Sequence, residues 1–261
     1  MMNKRRSFLK LIAIFLIVLF TAISCKKTET LTVQVEKFPV DFLKGCQDLG
    51  CAKLEIFIPK ALENTKIANN INQKVDETVS DLLNLKDTDS TTTISQVAWA
   101  FNKEYQHMKK QFPDETSLYE ATVDGTVSYQ DPQLISLVFK SYIFTGGAHG
   151  NSTTSFANFD KKSGKFLKNK MLFKDLTKFK TVVEVKFREH FNIPTGTSIN
   201  STGFLFENDI FKLPTTVGFS KYGVVFHYNQ YEAASYANGP LEFTMSYQKL
   251  RPFLKYPFNG K

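Results

Sequence analysis

The stretch QLISLVFKSYIFTGGAHGN, residues 133–151, decides how the rest of the chain reads. Residues 133–145 are long and strongly apolar, the pattern of a central, doubly covered strand. The glycine-rich run Gly146-Gly147-Ala148-His149-Gly150 interrupts it. Residues 152–159 are extended again, and Asp160-Lys161-Lys162-Ser163-Gly164 makes a turn.

Upstream, the hydrophobic period shifts. Ile94, Val97, Phe101, Tyr105, Met108 and Phe112 recur at helical spacing. Thr93 and Gln96 stand at capping-box distance in front of them, and Pro113 closes the helix. Ile67, Ile71, Val75, Val79 and Leu82 predict an earlier helix beginning near Asn64. Leu31, Val33 and Val35 alternate as a strand, Tyr119, Ala121 and Val123 as another, and residues 54–58 form a third that Pro59 is expected to stop. Downstream, Leu176, Phe179, Val183, Phe187 and His190 or Phe191 mark a third helix over about 175–191. The tail predicts strands at 210–213, 223–228 and 241–247. Strands and helices come in clusters without strict alternation, so the class is α+β, mostly antiparallel sheets with about three packed amphipathic helices. The 14% aromatic content, with 25 Phe, agrees with extensive sheet and a well-filled interior.

The N-terminus reads as an address. Lys4, Arg5, Arg6 and Lys10 precede ten unbroken apolar residues, 11–20, and then Thr21-Ala22-Ile23-Ser24-Cys25. This is the order of a secretory signal ending at a lipidated Cys25; an uncleaved anchor is the alternative, against which the short apolar run argues. The expected organisation is a signal peptide (1–24), a lipidated tether (25–30), an N-terminal α+β half (31–160) and a closely associated C-terminal half (161–261). There are three cysteines. With Cys25 acylated, Cys46 and Cys51 are left as a pair around a short Gly-containing loop, which suits a disulfide; metal ligation is the alternative, and no second Cys/His pair at zinc spacing supports it. Without residues 1–24 the chain has 29 basic and 25 acidic residues, a mild excess that gives no support for nucleic-acid binding. The expected location is the cell envelope, at the outer membrane or another periplasmic face.

Motifs for catalysis are lacking. His107, His149, His190 and His227 make no HxxH, HxxxH or HExxH, and neither GxSxG nor a Walker loop occurs. No cofactor or metal is therefore expected. Two segments stand out as candidate ligand-binding loops. Gly146, Gly147, His149 and Asn151 follow the central strand, where glycine permits positive φ and close backbone approach. They read either as a loop offering His149 and backbone amides to a ligand or as a sharp turn whose imidazole braces its neighbours. Tyr231, Glu232 and Tyr236 could form a stacking platform for a sugar or peptide, or simply pack on the sheet.

TGGAHGN (145–151), the Asp160–Lys165 turn, Leu172-Phe173-Lys174-Asp175-Leu176, and GVVFHYNQYE (223–232) with Tyr236 and Gly239-Pro240 together resemble one envelope family. It is the domain pair shared by the lysozyme-sensing anti-sigma factor RsiV and the non-catalytic part of PdaC-type peptidoglycan deacetylases, and the resemblance spans about residues 32–254. The family's usual Ile-Ala-Pro-Tyr reads Ala233-Ala234-Ser235-Tyr236 here. The deacetylase's aspartate and HxxxH motifs are absent, and nothing precedes the signal that could hold a sigma factor, so neither activity carries over. The resemblance implies an extracytoplasmic binding module for a cell-wall glycan or a lysozyme-like muramidase, and with lipid on Cys25 the expected protein is a lipid-anchored, non-enzymatic one. A structural or assembly role with another envelope protein is the alternative, and a hydrolase using His149 a distant third. Lysozymes are typically basic, so binding one would need an acidic patch, such as Glu207 with Asp209 or Glu115 with Glu120.

Overall fold

The computed structural model describes residues 31–43, 50–84 and 93–256. The expected signal segment, Cys25 and Cys46 lie outside the described residues. Strands β1 (Val33–Lys37), β2 (Lys53–Ala61), β3 (Glu120–Gln130), β4 (Leu134–Phe144), β5 (Asn151–Asp160) and β6 (Lys165–Phe166) form one sheet in chain order. Every neighbouring pair is antiparallel except β2 with β3. A parallel pair needs a crossover, and helices α1 (Lys66–Leu83) and α2 (Ile94–Gln111) lie in that connection. β4 is central, as its apolar run predicts.

The helices start where the sequence says. Thr65 caps α1 by accepting from Ala68 N at 3.1 Å, and Thr93 and Gln96 complete a capping box on α2. Ile71, Val75 and Val79 of α1 and Val97 and Phe101 of α2 are buried in one cluster with Ile56, Val123, Leu137 and Phe139 of the sheet.

The sheet's other face carries a second core. Helix α3 (Asn169–Leu172) is one turn, α4 (Leu176–His190) is long, and β7 (Val217–Ser220), β8 (Gly223–Tyr228) and β9 (Leu241–Met245) make a three-stranded antiparallel sheet, followed by α5 (Tyr247–Leu250). Phe179, Val183 and Phe187 of α4 pack with Phe219, Phe226 and Phe243 of that sheet. Residues of β5 alternate between the cores: Ala157 and Phe159 belong to the helix side, while Phe156 lies on Gly218 of β7 and Asn158 donates to Val217 O.

Four expectations need correction. Pro59 does not end β2: its Cδ faces Gly125, where even a Cβ would come within 2.5 Å, just past the last parallel pair Phe57↔Asp124. The missing N–H is thus opposite a residue that needs no ladder bond from it. Residues 210–213 form no strand; Tyr228 Oη donates to Lys212 O, so this backbone is held by side chains. The strand expected over 241–247 stops at Met245, and Tyr247 opens α5. Leu176 is 38% exposed and does not join the buried face of α4.

Candidate functional site

The two loops singled out in the sequence meet. The β4–β5 connection turns at Gly146 and Gly147, with φ of 88° and 89°, conformations that side chains resist. Its last residue, Gly150, does something different: a Cβ there would lie 2.4 Å from the Tyr142 ring. The absent side chain lets Tyr142 of β4 cover the loop backbone. Asn151 begins β5 opposite Ile143 and is exposed.

The loop after β8 is fastened to the same strand end. Asn229 Oδ1 accepts from Thr154 N at 2.7 Å, and its Nδ2 donates to Thr154 O at 3.0 Å. The amide side chain thereby imitates one rung of a ladder on the open edge of β5, where Thr216 Oγ1 similarly accepts from Phe156 N. Glu232 sits behind this contact. Its Oε1 accepts from Thr215 N and Oγ1 at 2.6 and 2.8 Å, and its Oε2 accepts from Asn229 N at 3.0 Å. Those bonds make Glu232 a fastening of the loop itself. The turn from Asn229 to Glu232 puts Tyr231 at φ 65°, a strained value for a non-glycine, with the side chain 67% exposed.

Fixing both loops on β5 stacks His149 on Tyr236, with ring centroids 4.1 Å apart and planes 23° from parallel. Tyr236 Oη donates to Gly150 O at 3.3 Å, and His149 Nδ1 lies 3.2 Å from the same carbonyl, donating to it in the Nδ1–H tautomer. Tyr231 extends the row, its ring 5.8 Å from Tyr236. Gly146, Gly147, His149, Tyr231 and Tyr236 therefore shape one exposed aromatic surface, with Asn151 at its border and Glu232 beneath. Tyr142 and Asn229 belong to it too and were not singled out. Strand alternation could have flagged Tyr142, since Ser141 is buried and Tyr142 exposed; nothing local flags Asn229.

Two residues along β4 lies Lys140. His227 of β8 pairs with Glu242 of β9 at 2.9 Å. The hydrogen bond from His227 holds the Glu242 carboxyl below the usual range despite partial burial, with Lys140 adding to the effect. The acids suggested for a basic partner are engaged locally. Glu207 pairs with Lys212, Glu120 with Lys53 at 2.7 Å, Asp209 accepts from Ser198 Oγ at 2.7 Å, and Glu115 accepts from Ser117 N at 2.8 Å. Among the described residues no cluster of His, Cys, Asp and Glu could hold a metal, and no helix is long and apolar enough to cross a membrane. Cys51 is exposed just ahead of β2.

Comparison with known proteins agrees with this architecture. No curated protein matches the chain. Two solved structures of DUF3298 family proteins share its fold. One, from Pseudomonas aeruginosa PAO1, is 19% identical with a TM-score of 0.58; the other, from Bacteroides fragilis NCTC 9343, is 18% identical with a TM-score of 0.61. Each alignment covers 87% of this chain and 95% of the other. Residues 46–152 match the family model described as deacetylase PdaC, and residues 166–248 match DUF3298, a family of unknown function. The α+β chain thus carries a PdaC match followed by a DUF3298 match, in the order of the domain pair that its TGGAHGN and GVVFHYNQYE segments resemble.

Proposed function

We propose that the chain is an extracytoplasmic, non-catalytic binding protein, held to a membrane by lipid on Cys25, that recognises cell-wall glycan through the His149–Tyr236–Tyr231 surface. The observation that carries this reading is the stack of His149 on Tyr236 with Tyr231 open beside it. Aromatic faces take the apolar faces of sugar rings, while their edges and polar tips keep hydrogen bonds in water. The strained turn that exposes Tyr231 fits a residue held out for contact. The PdaC match brings a peptidoglycan-related context. A glycan suits the site better than a basic muramidase, because Glu207 and Glu120 each have a cation of the chain's own. Against hydrolysis, no carboxylate hydrogen-bonds His149 among the described residues; its Nδ1 lies against the Gly150 carbonyl and its ring against Tyr236. A disulfide between Cys46 and Cys51 and the envelope location belong to the same reading.

The compact unit begins at Leu31, so protein lacking residues 1–25 retains it. Calorimetric titration of that protein with muropeptides should show saturable binding that Tyr231→Ala and Tyr236→Ala each weaken about tenfold, worth about 1.4 kcal/mol. Heat with lysozyme alone would replace the glycan by a protein partner, and no heat with either would sink the reading. Mass spectrometry of the mature N-terminus tests the anchor: a free, unacylated start removes it.

A further inference from the structure

Past the aromatic surface, the same strand leads into a different feature. Beyond Thr154 and Phe156, Asn158 lines a cleft of about 500 Å³ where β5 meets the segment before α3, the start of α4 and the chain ahead of β7. That volume is within the range of small-ligand sites, about 300–1,000 Å³. Phe156, Leu176 and Leu213 supply apolar wall, and Lys168 and Lys170 also line it. Both lysines are exposed, and neither has an ion-pair partner among the described residues.

Asn158 is the unusual member. It is 2% exposed, its Nδ2 donates to Val217 O at 2.8 Å, and its Oδ1 has no partner. Buried acceptors are nearly always satisfied, so each exception calls for an account. Flipping the amide offers none, because it would set the oxygen against the Val217 carbonyl. The cleft thus combines an apolar wall, an unmet acceptor and two unpaired cations.

We infer that this cleft binds the carboxylate end of a short peptide. An apolar side chain rests on Phe156, Leu176 and Leu213, the peptide N–H reaches the closed-over Asn158 Oδ1 by displacing the side chains that cover it, and the terminal carboxylate lies between Lys168 and Lys170. A simple fatty acid has the carboxylate and the apolar body but no donor for Asn158, and this distinction makes the inference testable. The site is separate from the aromatic surface, so either can fail alone.

The probe is N-acetyl-leucyl-alanine, titrated into protein lacking residues 1–25 and followed by amide chemical shifts. Saturable binding is expected, with shifts centred on residues 156–158, 168–170 and 213–216. The C-terminal amide of the probe, a form methylated on the alanine nitrogen, and the paired change Lys168→Glu with Lys170→Glu should each weaken it about tenfold. Leu176→Trp, made at a half-exposed position so that the fold is kept, should block the cleft, and unchanged far-site shifts would verify folding. No saturation by about 10 mM probe, equal binding of octanoate, or full affinity in the Leu176→Trp variant would each overturn the inference.

Discussion

The two cores on either side of the six-stranded sheet are made of different material. On the helix side, aliphatic stripes from α1 and α2 meet Ile56, Val123 and Leu137. On the other side, Phe173, Phe179, Phe187, Phe219, Phe226 and Phe243 are buried together. The first core is filled from long helices whose 3.6-residue period supplies an apolar face at regular intervals. The second is filled largely from short strands and loops, which lack such a face; large rings reach the centre from irregular backbone instead. Phe187 is the hub. Rings of Phe191, Phe204, Phe206, Phe211, Tyr228 and Phe243 surround it at centroid distances of 4.6–5.9 Å.

That difference predicts where damage is greatest. Phe187→Ala removes the ring around which six others are arranged, and should cost about 3–5 kcal/mol in urea denaturation. A loss below about 2 kcal/mol would mean that the aromatic core collapses around the gap and has no hub. The seam between the cores comes next. A Cβ on Gly218 would lie 2.2 Å from the Phe156 ring, and both residues are buried. Gly218→Ala should therefore cost about 1–3 kcal/mol through overpacking. Adding Phe156→Leu should restore part of the loss, because neighbouring changes that share one clash are not additive. Strict additivity would show that the seam does not transmit the strain.

The same contrast explains what could be read from the sequence. Ile71, Val75 and Val79 announced α1, Thr93 with Gln96 announced the start of α2, and the apolar run before Gly146 announced β4. In each case the cause is local and periodic. Pro59 misled because its tolerance depends on Gly125, far along the chain but next to it in the sheet. Residues 210–213 misled because alternation shows which side chains turn inward, as buried Phe211 does, without showing whether the backbone has a partner. At the site, His149 and Tyr236 were each legible as loop residues of unusual composition. Their stacking was not, since it depends on Asn229 joining the edge of β5 at Thr154. Nor could Glu232 be recognised as a loop fastening, because its donors Thr215 and Asn229 come from segments that only the fold brings together.

The local devices of the aliphatic side should have local and moderate effects. On α2, Thr93 Oγ1 accepts from Gln96 N at 3.3 Å, and Gln96 Oε1 accepts from Thr93 N at 2.8 Å. Thr93→Ala should cost about 1 kcal/mol. Thr93→Asp, which keeps an acceptor at the cap, should recover most of it. A failure of Asp to rescue would assign the loss to packing.

The smallest effect belongs to the outer surface of the aromatic core. β9 turns Leu241, Phe243 and Met245 inward and leaves Glu242 exposed, its carboxylate bonded to His227. Because Glu242 titrates below the ordinary carboxylate range in the folded protein, its contribution is present above the unfolded pKa of about 4.3 and fades as pH falls through the folded value. With the Glu242 side chain 55% exposed, solvent screening limits that contribution to below about 1 kcal/mol. Glu242→Gln should thus lower stability slightly at pH 7, with a deficit that shrinks progressively as pH falls below the unfolded pKa of about 4.3. A deficit that persists at acid pH would come from shape or neutral hydrogen bonding, and would make the outer face of β9 as sensitive to packing as the rings beneath it.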